Sequence, residues 1–403
     1  MIYADNAATT RVSDSVFEKM LPFLREQYGN ASSQYSLGVK AKRAIELARK
    51  QVADAIGAEA AEVTFTSGGS EANSWLLRSV DESFGDAPKH IITSSIEHHS
   101  VLNACHMLEE NGTVVTYLPA DSSGVVSSTD IEAAIRPYTR LVTIMFANNE
   151  IGTIQPIAKI GRMLRGRGIL FHTDAVQAVG HIPVDVAALE VDFLTASAHK
   201  FNGAKGTGIL YRRSDMKLSP LVFGGEQESG LRAGTENVAG IVSAGYAIEE
   251  SVGTIQTETE RLSAMVKETI DGIKGKISSV RVNGENACRL PGTINFGFEG
   301  VSGESLMHLL DLNGICVSTS SACTSGNDEP SHVLLAMGQT ETQAKSAIRI
   351  SYGKYNTRNE VEIIVKAICN AYDKITALPF AAHPCVSDSV RFQGIIIQNV
   401  MPI

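Results

Sequence analysis

The chain predicts an α/β fold, a largely parallel sheet between helices, followed by a smaller α+β unit. Short apolar runs at residues 91–93, 141–146, 168–171, 191–195 and 208–211 alternate with helical patterns at 40–56, 129–136 and 157–167. That alternation is what builds a parallel sheet through crossover helices. From 240 to 274 the pattern becomes one long helix, of the kind that connects a large domain to a smaller one. Beyond it, strands at 294–298, 315–318 and 347–350 mix with helices at 302–312 and 360–372. No internal repeat or low-complexity segment interrupts the series.

The elements also say where chemistry collects. The strand at 191–195 runs into Ala196-Ser197-Ala198-His199-Lys200 and then a glycine-rich turn. Lysines after strands are ordinarily solvated. This one follows small, hydroxyl and imidazole groups at the carboxyl edge of a sheet, where α/β proteins place ligands, and its amine can hold a cofactor aldehyde as a Schiff base. The strand at 168–171 delivers Asp174 and Gln177 in the same way. A carboxylate there can pair with a protonated pyridine nitrogen, while His172 and Asp174, two apart on one strand face, are also compatible with a metal site that lacks a third ligand at metal-like spacing. A third strand, from Val63, enters Ser67-Gly68-Gly69-Ser70-Glu71-Ala72-Asn73, a glycine turn opening a helix. Backbone amides at such a helix start bind phosphate. Phosphate cup, aspartate and lysine, in that chain order, make a cradle for pyridoxal phosphate (PLP).

With 403 residues, 43% of them hydrophobic, the chain can bury a large core and form two or three domains. Its 35 basic and 44 acidic residues give a net charge of −9 without a long basic run, so no nucleic-acid surface is expected. No apolar stretch approaches the roughly 20 residues of a membrane span, and the N-terminus has no signal-peptide pattern. A cytoplasmic location is the expectation. The six cysteines, at 105, 288, 316, 323, 369 and 385, form no C-x-x-C pair, which suits reduced thiols rather than a zinc site or a disulfide framework. Cys323 alone lies in a polar, breaker-rich loop, residues 318–330, the setting of a reactive rather than a structural thiol. The apolar stretch at 394–403 is one that a soluble protein rarely exposes; it either packs on the body or meets a partner.

From about Tyr3 to Tyr372 the chain resembles the cysteine desulfurases of the NifS/IscS type, within the class-V aminotransferases and the fold-type I PLP enzymes. The resemblance rests on residues 3–10, 29–33, 67–73, 97–98, 147–152, 172–177, 197–200, 232–237 and 321–325, and on Arg349. It implies a fold-type I architecture: a large PLP-binding domain at 15–250 with a mainly parallel seven-stranded sheet, and a small α+β domain from 1–14 and 251–376 that carries the catalytic cysteine. The segment 377–403 is a tail outside the likeness.

The same resemblance implies roles residue by residue. Lys200 holds PLP, His98 stacks on its ring, and Asp174 and Gln177 bind the ring nitrogen and phenolic oxygen. Gly69, Ser70, Ser197 and His199 hold the phosphate, with Thr235 reaching across from the neighbouring protomer of a homodimer. Asn149 and Arg349 engage the carboxylate of L-cysteine, and Cys323 accepts the sulfur. No intrinsic metal is implied, although Cys323 could share an iron–sulfur cluster with a partner. The expected acceptor is a protein such as an iron–sulfur scaffold, with tRNA thiolation and general sulfur supply as other destinations. Departures from the family pattern at Ala31, Tyr35, Ala204, Glu226, Ser229 and Ser320 bear on loop geometry, rate and partner choice, and none removes a group that does chemistry. A selenocysteine lyase or another PLP lyase would share the cradle. A weakly catalytic sulfur-relay or scaffold protein is the alternative from another class.

Overall fold

The computed structural model describes residues 1–319 and 329–377. Cys323, Cys385 and the tail from 378 lie outside the described residues. Seven strands form the larger sheet: β1 (Val63–Thr66), β2 (His90–Ser94), β3 (Val114–Leu118), β4 (Thr139–Thr143), β5 (Leu170–Asp174), β6 (Phe193–Ser197) and β7 (Gly208–Arg212). Their order is β1-β7-β6-β5-β4-β2-β3. Only β7 runs against the rest, pairing antiparallel with both β1 and β6. The parallel pairs from β6 through β5, β4 and β2 to β3 therefore share one carboxyl edge, and β1 ends on it too.

Helices cover both faces because the strands are buried on both. β2, β5 and β6 have hardly an exposed residue, as parallel sheets require. Trp75, Leu76 and Leu77 of helix Gly69–Ser83 pack on one side with Ile91, Leu141 and Phe193. On the other, Ile45, Val52 and Ile56 of helix Ser36–Ile56 pack with Val142, Phe171 and Ile209. The long helix Val238–Lys274 touches this core through Ile241 and Ile248. Its far end serves a second core, where Leu262, Met265 and Ile273 meet Phe296, Phe298, Ile348 and Ile350. That second core sits on a small antiparallel sheet of Val280–Asn283, Thr293–Phe298, Ala347–Ser351 and Ser318–Thr319.

Each apolar run expected to be a strand is one, with shifted ends. The run at 168–171 becomes Leu170–Asp174 because His172, Thr173 and Asp174, although polar, are fully enclosed strand residues. The run at 315–318 divides. Ile315–Cys316 pairs with Ile2–Tyr3, whereas Ser318–Thr319 joins the small sheet. β3, an edge strand of sequence Val-Val-Thr-Tyr-Leu with mostly half-exposed side chains, is the one member of the large sheet that lies outside the runs read as strands.

Candidate active site

β5 ends in Asp174, and β6 ends in Ser197 and passes into the tight turn Ala198–Lys200. β1 ends in Thr66, and the Ser67-Gly68 turn then opens helix Gly69–Ser83. β2 leads to His98, the N-cap of helix His99–Glu110. All four deliver polar groups to one carboxyl edge, the position where α/β sheets bind ligands.

Asp174 is 4% exposed. Its Oδ1 accepts the Val176 amide at 3.0 Å, and its Oδ2 accepts Asn73 Nδ2 at 2.7 Å. Asn73 also donates to Ser100 Oγ at 2.9 Å and accepts the Thr195 hydroxyl at 2.6 Å, so one buried amide ties β5, β6 and the His98 helix together. Two residues earlier on the same strand, His172 Nδ1 meets Thr143 Oγ1 at 2.8 Å, and burial drives this imidazole down to about 3. His98 Nδ1 accepts the Ser100 amide at 3.1 Å, which leaves the proton of the neutral ring on Nε2. Burial depresses the His98 imidazole below its ordinary value, Asp174 opposes that shift, and Lys200 and His99 reinforce it. His98 thus stands close enough to both Asp174 and Lys200 to feel their charges.

The N-terminal segment closes over the lysine. Lys200 Nζ donates to the carbonyls of Ala7 at 2.6 Å and Ala8 at 2.8 Å, and Gln177 Nε2 donates to Ala7 at 3.0 Å. His199 Nδ1 meets Thr9 Oγ1 at 3.1 Å, while burial, aided by Lys200 and Lys205, lowers its imidazole to about 4. Ser197 and Gly69 are buried and adjacent: a side chain on Gly69 would stand 2.6 Å from Val176 Cγ2 and 3.9 Å from Ser197 Cβ. Ser70 and Thr235 are exposed, and Thr235 lines a cleft with Thr66, Ser67, Gly206 and Thr207.

Arg349 stands on the small sheet opposite Asn295 and Ser318. Its Nη1 donates to the Asn149 carbonyl at 2.8 Å and its Nη2 to Asp5 Oδ1 at 2.6 Å, while Nε, though buried, has no hydrogen-bond partner among the described residues. Next to Asn149, Glu150 accepts the Ser331 hydroxyl at 2.5 Å. His332 Nε2 meets the Glu97 carbonyl at 2.9 Å, and its ring lies 4.5 Å from that of His99. The structure therefore gathers Lys200, Asp174, His98, Gln177, Ser197, His199 and Gly69 at the sheet edge and sets Asn149 and Arg349 across from them. Cys323 lies outside the described residues.

Three groups escaped sequence reasoning. Asn73 was visible only as the end of the glycine-turn stretch, one helical turn in and on its inner face. The Ala7 and Ala8 carbonyls leave no side-chain signature. Asp5 pairs with Arg349 from 344 positions away.

These residues fit PLP. A buried carboxylate is available to pair with a protonated pyridine nitrogen, an amine and an imidazole lie near it, and the helix start at Gly69 offers a phosphate amides that helical bonding leaves without partners. Comparison with known proteins agrees. The family described as Aminotransferase class-V matches residues 2–364. A cysteine desulfurase IscS from Methanosarcina thermophila is 47% identical over 93% of this chain and 92% of its own length. One from Clostridium botulinum is 46% identical over 91% and 93%. A solved NifS-like protein superposes with a TM-score of 0.88 at 40% identity, covering 93% of this chain and 99% of that one. A structure described as SspA in complex with cysteine gives a TM-score of 0.79 at 37% identity over 89% and 100%. With its sheet edge and its sequence in agreement, the chain belongs to the class-V aminotransferase family, among the PLP-dependent cysteine desulfurases of the NifS/IscS type.

Proposed function

We propose that this enzyme converts L-cysteine to L-alanine with PLP carried by Lys200, and that Cys323 receives the sulfur as a persulfide. Bound PLP supplies an electron sink for the bonds at the substrate's Cα and Cβ. Asp174 keeps the ring nitrogen protonated, and Asn73 fixes the carboxylate that does so. Gln177 serves the phenolic oxygen. The first amides of helix Gly69–Ser83, at Gly69 and Ser70, hold the phosphate with Ser197 and His199, and Thr235 of a second protomer completes that seat in a homodimer. Arg349 offers the planar two-point grip that a carboxylate needs, beside Asn149, once the substrate takes over from Asp5. His98, neutral and carrying its proton on Nε2, moves protons with the Lys200 amine at Cα and at the thiol.

The Cys323 thiolate attacks the substrate sulfur: the C–S bond breaks, an S–S bond forms, and the carbon fragment leaves as alanine after protonation. A free thiol is only a few per cent ionised at neutral pH, which costs about 2 kcal/mol. Delivery within bonding reach is worth far more, up to roughly 7–11 kcal/mol. The sulfur then passes to an acceptor protein, in iron–sulfur assembly or in thio-cofactor and tRNA sulfur supply, in the cytoplasm. We divide the chain accordingly, with 15–250 as the cofactor-binding domain and 1–14 with 251–376 as the domain that bears the acceptor thiol.

The convergence of Asp174, His98 and Lys200 at one sheet edge, with Asn73 and Ser100 linking the first two, carries this reading. Mass spectrometry after brief cysteine exposure without reductant tests it. One sulfur added on the Cys323 peptide is expected. Cys323→Ser should keep the spectral response to cysteine yet form no persulfide, and Lys200→Ala should abolish turnover. Sulfur found only on Cys316, Cys369 or Cys385 would overturn the acceptor assignment.

A further inference from the structure

Glu71 sits at the third position of the helix whose first amides are assigned to the phosphate, so the turn proposed to seat a dianion also carries a carboxylate. A bare carboxylate there opposes the ligand. It is not bare: Arg232 Nε lies 3.0 Å from Glu71 Oε1 and Nη2 lies 3.4 Å from Oε2. Glu71 Oε2 in turn accepts the Ser67 hydroxyl at 2.5 Å. One carboxylate therefore receives the first residue of the glycine turn on one side and a guanidinium on the other.

Arg232 is aimed from behind. Glu228 and Ser229, four and three positions earlier, take left-handed backbone angles, φ of 47° and 58°, which non-glycine residues rarely adopt unless their surroundings hold them there. Arg49 anchors the Glu228 side chain in this turn, its two terminal nitrogens each 2.8 Å from a Glu228 oxygen. The Phe65 amide of β1, two residues before the glycine turn, adds a third contact to Glu228 at 2.9 Å. Both partners are largely buried, with side chains 12% and 5% exposed. The turn itself faces open space, since a side chain on Gly68 would meet nothing within 4 Å.

We propose that Arg232 is a positioning residue for the cofactor phosphate: it neutralises Glu71, and the paired carboxylate then holds Ser67 so that the Gly68–Gly69 turn stays open to a dianion. The inference rests on the proposed phosphate seat, and it assigns Arg232 and Glu71 no contact with the cofactor ring. It has an unusual sign. Removing the arginine alone exposes the carboxylate to the phosphate, whereas removing both restores neutrality.

Resolved apoprotein titrated with PLP, and in parallel with pyridoxal, which lacks the phosphate, tests this by absorbance. In Arg232→Gln, PLP affinity should fall about tenfold while pyridoxal affinity stays within about twofold, a tenfold change being 1.4 kcal/mol. Adding Glu71→Gln to that variant should recover most of the PLP affinity. Glu71→Gln alone leaves the cation in place and should bind PLP at least as tightly as the wild type, so the inference is testable even if Arg232→Gln folds poorly. A parallel loss of PLP and pyridoxal, or a double variant no better than Arg232→Gln, would overturn it. A wild-type apoprotein that prefers PLP no more than pyridoxal would instead remove the phosphate seat, and the inference with it.

Discussion

Asn73 shows how much one side chain decides in this site. It is 1% exposed and makes three hydrogen bonds, to Asp174, Ser100 and Thr195. Asn73→Ala leaves Asp174 short of a donor, at a cost of about 1–3 kcal/mol of stability, readable by urea unfolding. Asn73→Asp is closer in shape and should be worse for turnover. It sets a second carboxylate oxygen 2.7 Å from Asp174, two such groups cannot both ionise, and the shared proton weakens the charge available to the ring. Steady-state activity should rank wild type above Asn73→Ala and Asn73→Asp last; the reverse order of the two variants would show that charge at Asp174 is not what Asn73 protects. Nothing in an isolated Asn-containing helix announces this role. Lys200 and Asp174 were legible because each follows an apolar run that ends at a sheet edge, whereas the meaning of Asn73 depends on which strands its helix packs against.

Close approach of elements sets the phosphate turn. β7 starts at Gly208 directly beneath it, where a side chain would lie 2.4 Å from the Gly68 carbonyl carbon, 2.5 Å from Gly68 Cα and 2.5 Å from Thr66 Oγ1. Two of those are backbone atoms, so the turn itself must move. Gly208→Ala should therefore lower PLP affinity at least about tenfold while far-UV circular dichroism shows the sheet intact, since the pairing of β7 with β1 and β6 does not need the glycine. Retained affinity would mean that the turn has room to spare. Strand existence was legible in every apolar run because buried parallel strands are nearly continuous in hydrophobicity. Strand ends were not. His172 to Asp174 continue the ladder although they are polar, because partners such as Thr143 and Asn73 meet them inside the protein, and β3 was missed although its Val-Val-Thr-Tyr-Leu composition favours a strand.

At the scale of the molecule, two cores are joined by contacts that converge on the site. Glu97 lies at that junction, its carbonyl accepting His332 and its carboxyl wholly enclosed. Burial pushes this carboxyl up to about 8; the Ser94 hydroxyl and the Met145 amide oppose the shift, and Asp174 adds to it. Folded protein thus keeps the proton where the unfolded chain gives it up. A raised pKa stabilises below the unfolded value and loses that contribution as pH climbs, here between about 4.5 and about 8, by an amount on the order of a few kcal/mol. Glu97→Gln cannot ionise. Its melting temperature should exceed the wild type's increasingly from pH 5 to pH 8.5, and a constant difference across that range would refute the protonated Glu97. The junction was the least legible part of the chain, since Arg349 with the Asn149 carbonyl and Glu150 with Ser331 are ordinary surface residue types until the fold joins them.

The two contacts that hold Lys200 are made by backbone, and this sets what the N-terminal segment can tolerate. Neither Ala7 nor Ala8 offers a side chain to the amine, so the grip depends on the path of the chain rather than on which residues follow that path. Substitutions there that leave the path alone should leave the amine where it is, whereas a change of loop length would carry both carbonyls away together.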